Sequence, residues 1–124
     1  MRNGSLAGGR LSYLFLSVRD YAGMLAFYRD VLGFAVEFEA PGEIAFLRLE
    51  GDTGPRIAIS VGDTPEPSAA RHWFLVIDVT GIDAVADSLR SQGLEIGDIE
   101  DVPYGRAVIF PDPEGNLLEI HEPS

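Results

Sequence analysis

The chain has 124 residues, 46% of them apolar, which is enough for one hydrophobic core and too few for two domains of ordinary size. It contains no cysteine, and its 9 basic residues are all arginine, so disulfides, thiolate metal sites, cysteine nucleophiles and lysine Schiff-base chemistry are excluded. A formal charge of −11 argues against a nucleic-acid partner, whose phosphates need basic side chains, and is compatible with a cationic ligand or with a plain acidic surface.

Residues 1–10 read as a flexible N-terminal tail without the apolar stretch of a signal peptide. No later apolar run approaches the roughly 18 residues of a membrane span, so the expected location is the cytoplasm, with no membrane partner. Residues 11–124 read as a single domain. Leu11 to Val18 suits a strand, Asp20 can cap a helix from about Tyr21 to Leu32 with Leu25, Tyr28 and Leu32 on its buried face, and Gly33 can end it. Strands are expected at Ala35 to Glu39, Ile44 to Glu50 and Arg56 to Val61, completing a βαβββ module over about residues 11–61. Gly62 to Ala70, with Pro65 and Pro67, reads as an extended connector.

The pattern then repeats over about residues 71–123. Arg71 to Ile77 is a second opening strand, and Thr80 can cap a helix to Gln92 with Ile82, Val85 and Leu89 buried. Strands near Glu95 to Glu100, Ala107 to Phe110 and Leu117 to His121 follow, the last hairpin turning at Asp112-Pro113-Glu114-Gly115-Asn116. The fold class is α+β: two βαβββ modules forming a curved mixed sheet around a cavity, with helices on the outer face.

Three motifs carry a family resemblance: Phe27-Tyr28-Arg29-Asp30-Val31-Leu32-Gly33-Phe34, Phe74-x-Val76-x-Asp78-Val79, and the ending Asp112-Pro113-Glu114-Gly115-Asn116-Leu117-Leu118-Glu119. Together they resemble the vicinal oxygen chelate superfamily of glyoxalase I, extradiol dioxygenases, fosfomycin-modifying transferases and bleomycin-resistance proteins. The resemblance implies a homodimer and a cavity that holds a small molecule, but its members differ in activity. In metal-dependent members a histidine precedes the aspartate that starts the first helix. The matching position here is Tyr13, and counting the same distance back from Asp78 gives Arg71. The carboxylate of the last strand is kept as Glu119, while its first-module counterpart falls at Ala58 or Ser60.

A one-residue shift would make His72 a ligand instead, and His121 lies on the same face as Glu119, so His72, Glu119 and His121 are the metal candidates if a divalent ion is bound. No cofactor is favoured. A solvated side chain is the commoner state for a histidine so near the chain end as His121.

Strand alternation sends Tyr13, Phe15 and Ser17 into the cavity, with Phe46 and Arg48, then Arg71, Trp73 and Leu75, then Ala107, Ile109, Leu117 and Glu119. Aromatic faces suit a flat or amphipathic ligand, and Arg71 and Glu119 either form a salt bridge or present both charges to a guest. These features point first to a protein that sequesters an aromatic or cationic compound, as in antibiotic resistance. They leave open a metal-dependent glyoxalase- or dioxygenase-like enzyme, a metal-free isomerase or cyclase with Glu119 as general base, and a module that acts through dimer contacts alone.

Overall fold

The computed structural model describes Ser5, Ala7, Gly51 and residues 12–49, 53–62 and 75–124. The first half opens with β1 (Tyr13–Val18), which pairs in parallel with β4 (Arg56–Val61). β3 (Ile44–Arg48) lies antiparallel to β4, and β2 (Ala35–Ala40) forms the far edge, giving the order β1-β4-β3-β2. β-Branched and aromatic residues dominate these strands, as a half-buried sheet requires.

Helix α1 (Tyr21–Ala26) starts where Asp20 accepts a hydrogen bond from the Gly23 amide at 3.0 Å. The expected helix to Leu32 is interrupted, because a π turn spans Phe27–Val31 and Leu32 N–H reaches back to the Phe27 carbonyl. The wider turn lets the consecutive rings of Phe27 and Tyr28 both enter the core, which a regular helix places about 100° apart. Leu32 is only partly buried.

The second half repeats the plan with β5 (Leu75–Asp78), α2 (Ile82–Ser91), β6 (Glu100–Val102), β7 (Gly105–Pro111) and β8 (Leu117–Pro123), in the sheet order β5-β8-β7-β6. β5 runs parallel to β8, and β7 is antiparallel to both β8 and β6. Thr80 does not cap α2. The N-cap is Gly81 at φ +74°, and the carboxylate of Glu122 on β8 accepts from Ile82 N–H at 2.8 Å. Ala86, not Val85, completes the fully buried stripe with Ile82 and Leu89.

The strand expected at Glu95 to Glu100 is largely irregular chain. Its carbonyls at Ile96 and Gly97 accept from the Arg90 guanidinium at 3.3 and 2.8 Å, so a side chain replaces a ladder there. At Gly105 the backbone crosses so close to the Glu122 carbonyl that a Cβ would collide with it.

One core joins both halves, with Leu16, Val18, Ile57 and Ile59 against α1, and Val108, Phe110, Leu118 and Ile120 against α2. The halves are latched by the turn before β8. Asp112, buried, accepts from the Tyr28 hydroxyl at 2.9 Å, from the Asn116 side chain at 2.7 Å, and from the Glu114 and Asn116 amides. Burial first, then the negative charge of Asp112, pushes the Tyr28 pKa well up, so its hydroxyl remains a donor. Glu114 in turn accepts from the backbone of Arg19 and Asp20, the latter at 2.8 Å.

Matching the helix-facing Leu16 and Val18 of β1 with Leu75 and Ile77 of β5 carries Ser17, which pairs with Ser60, onto Val76, which pairs with Glu119. The first-module counterpart of Glu119 is therefore Ser60 rather than Ala58. In this register Asp20 corresponds to Val79, so Asp78 is not the repeat of the helix-capping aspartate.

Candidate functional site

Because Leu16 and Val18 face the helices, pleating sends Tyr13, Phe15 and Ser17 to the opposite, open face of the first sheet. Phe46 of β3 joins them. Its ring centroid lies 5.0 Å from Tyr13, 6.4 Å from Phe15 and 5.8 Å from Phe38. Phe15 is 57% exposed and Phe38 55%. The quartet is thus packed edge to edge while its outer surface stays open. Sequence alternation missed Phe38, because a bulge between Val36 and Phe38 resets the face of β2.

Glu37, at that bulge, bridges Arg48 and Arg56, each at 2.7 Å. The hydrogen bond from Arg56, followed by the charges of both guanidiniums, holds the Glu37 carboxyl below its ordinary range. Arg48 is therefore part of an ionic row beside the rings.

On the second sheet the open face carries Val76 and Asp78, then Leu117, Glu119 and His121, then Ala107 and Ile109, with Glu100 and Val102 at the edge. Leu75 is a correction to the alternation read from sequence. It pairs with Leu118 on the helix side, and Val76, 52% exposed, stands beside Glu119 instead. Arg71, His72 and Trp73, and with them the Arg71–Glu119 salt bridge, lie outside the described residues.

Glu119 is only 6% exposed and lines a cavity of about 330 Å³ with Asp98, Glu100, Val102, Ala107 and Ile109. Among the described residues none donates a hydrogen bond to its carboxylate or forms an ion pair with it.

His121 is not a solvated terminal histidine. It is buried, with Nδ1 2.7 Å from Asp78 Oδ1 and Nε2 3.0 Å from the Tyr104 carbonyl. Both partners are acceptors, so the ring satisfies both contacts as a donor only when it is the protonated imidazolium. The Asp78 hydrogen bond, then the Tyr104 carbonyl, raises its pKa against the opposing effect of burial. In this state neither nitrogen has a lone pair for a metal. Among the described residues no three His, Asp or Glu side chains converge as a metal centre needs. Nor is Tyr13 or Ser17 hydrogen bonded to a histidine among these residues, and no nucleophile–base pair forms.

A larger cleft of about 780 Å³ runs between the halves, lined mainly by Leu14, Leu49, Pro55, Ile57, Leu75 and Ile77. Among the described residues its lining is mainly apolar, and Asp78, the ionisable one of them, is engaged by His121. The chemistry-bearing groups are on the open faces. Among the described residues no helix is long and apolar enough to cross a membrane.

Comparison with known proteins places this geometry. A family model described as the Glyoxalase/Bleomycin resistance protein/Dioxygenase superfamily matches residues 10–120. The uncharacterized protein YaeR of Escherichia coli (strain K12) is 31% identical over 124 residues, spanning 91% of this chain and 95% of its own. Among solved structures, TnmS3, an antibiotic binding protein from Streptomyces sp. CB03234, superimposes with a TM-score of 0.82 at 21% identity, covering 95% of this chain and 98% of that one. A mutant of the fosfomycin resistance protein FosX from Listeria monocytogenes, complexed with Mn(II) and 1S,2S-dihydroxypropylphosphonic acid, has a TM-score of 0.72 at 20% identity, covering 94% and 93%. At these identities the structural matches establish the fold.

Proposed function

The chain belongs to the Glyoxalase/Bleomycin resistance protein/Dioxygenase superfamily, and on that premise we propose that it binds and sequesters a small aromatic or amphipathic molecule on the open faces of its sheets. The observation that carries this reading is the ring cluster of Tyr13, Phe15, Phe38 and Phe46. Four aromatics hold one another in place and still offer more than half the surface of two of them. Rigid rings presented this way supply contact area at low conformational cost, as ligand-binding aromatics do. Ser60, where the second half has Glu119, supports a pocket without a symmetric donor set. The likeness to an antibiotic-binding protein points the same way. The working form is a cytoplasmic homodimer of single-domain chains, in which a second copy closes the open faces, and sedimentation of the purified protein tests the dimer.

Titration with 2-naphthylmethanol by calorimetry tests binding directly. Phe15→Ala should weaken it by about tenfold, while the melting temperature stays nearly unchanged because the ring is largely exposed. Unaltered affinity in that variant would remove the aromatic platform from the account.

A second reading, a metal-dependent enzyme, draws support from one observation. The register that sets Val76 beside Glu119 makes His72, not Arg71, the numerical counterpart of Tyr13. Metal analysis of protein purified without chelator, on wild type and Glu119→Ala, separates the two. Near one equivalent in the first and none in the second selects the enzyme.

A further inference from the structure

The open face of the first sheet is built in rows, and the rings do not fill all of them. Residues paired across a ladder share a face, so Tyr13 stands beside Arg56, and Phe15 beside Ala58, which in turn faces Phe46. Arg48 lies two residues beyond Phe46 on β3, on the same face and about 7 Å further along the strand. The rings thus have a row of charge at one edge, made of Arg48, Arg56 and Glu37.

Both oxygens of Glu37 are engaged. Arg56 donates to Oε2 through Nε at 2.7 Å and to Oε1 through Nη2 at 3.2 Å, while Arg48 Nε meets Oε1 at 2.7 Å. Glu37 is the one acid that these strands place on the open face among the described residues, because Glu39 pairs with the buried Ala45 and takes the Tyr21 hydroxyl. A cationic guest would meet two guanidiniums here and a carboxylate that they already hold.

Arg48 has donors to spare. A guanidinium carries five N–H groups in a planar fork, and Glu37 contacts this one at Nε. Among the described residues no acceptor is hydrogen bonded to either of its terminal amino groups, and the side chain is 34% exposed on the face that carries Phe46. A carboxylate can take two parallel N–H···O bonds from such an edge, a match that neither an alcohol nor an ammonium can make. An acid group on a fused two-ring system that covers Phe15 and Phe46 spans the offset between the rings and the guanidinium.

We propose that this face selects aromatic carboxylates, the rings of Phe15 and Phe46 taking the ring of the guest and the terminal N–H groups of Arg48, held by Glu37, taking its carboxylate. The inference rests on the aromatic-binding reading above and names the ligand class for that site. It departs from what the formal charge of −11 suggests, since salt screens distant charges and selection follows the groups that touch the guest.

Three probes of one shape test it by calorimetry: 2-naphthoate, 2-naphthylmethanol and 2-naphthylmethylamine. The expected affinity order is carboxylate over alcohol over amine, with the carboxylate preferred to the alcohol by about fivefold, the scale of an ion pair that stays partly in water. Arg48→Gln should bring that ratio to about one, and Arg48→Lys, which keeps the charge and loses the fork, should leave it at about two. Near-ultraviolet circular dichroism checks that both variants are folded, and the order of the three probes on the wild type decides if they are not. Equal binding of carboxylate and alcohol, an amine bound most tightly, or a preference that survives in Arg48→Gln overturns the inference and leaves the aromatic platform standing. Binding of none of the three removes the platform, and this inference with it.

Discussion

Leu16 and Val18 in the first half, and Leu75 and Ile77 in the second, occupy matching register positions and do the same work, pressing a helix onto a sheet. Ser60 and Glu119 also match in register, yet one is a small neutral hydroxyl residue and the other a carboxylate lining an acidic cavity. The comparison separates two constraints on a repeated module. Its helix side is bound by volume and tolerates little change, whereas its open side needs only to stay extended and is free to acquire a chemistry of its own.

Three experiments test how far the halves are interdependent and how far alike. The largest effect is expected from Asp112→Ala, which deprives the Tyr28 hydroxyl, the Asn116 amide and two backbone N–H groups of their acceptor. Stability should fall by about 4 kcal/mol in denaturant titration. A loss below about 1 kcal/mol would mean that the halves hold together without the latch.

Next comes the paired test of the shared helix side. Leu16→Ala should cost about 3 kcal/mol, and Leu75→Ala about half of that, since Leu75 is only partly buried. If the order is reversed, the core belongs mainly to the second half.

The smallest effect concerns the clasp that only the second half possesses. The His121 pKa is raised above its ordinary 6.5, so the clasp contributes fully below pH 6.5 and fades as pH rises through the folded value. Asp78→Asn should therefore lower the melting temperature most at about pH 6, and the gap from wild type should close in alkali. A gap that persists unchanged at high pH would show that the contact does not depend on the imidazolium charge.

Much of this architecture is legible in the sequence. The module order is correct, and the strand Arg56–Val61 has the limits that its composition indicates. Alternation places Tyr13, Phe15, Ser17 and Phe46 on one face, and Ala107, Ile109 and Glu119 on the other open face, as found. The phase of the second opening strand is not legible. Phe74-Leu75-Val76-Ile77 is apolar at every position, so alternation carries no signal there, and anchoring it to Asp78 as a repeat of Asp20 shifts it by one residue. Two further features depend on contacts distant in sequence. The α2 cap comes from Glu122 rather than the nearby Thr80, and His121 is fastened by Asp78 and by a carbonyl from the β6–β7 turn. The Phe38 bulge is a third case, since nothing in Ala35–Ala40 marks where the pleat slips.

The source of these caps bears on how the chain matures during synthesis. The acceptor for the Tyr28 hydroxyl, the anion at the Arg19 and Asp20 amides, and the oxygen that starts α2 all come from residues 112–122. A nascent chain that has emerged only through the first repeat has every strand of its sheet and the Asp20 cap of its helix, but the Asp20 amide and its most buried hydroxyl still lack the acceptors that Glu114 and Asp112 supply. Residues 112–122 must emerge before either half is finished, so the two repeats reach their mature form as one cooperative unit rather than in succession.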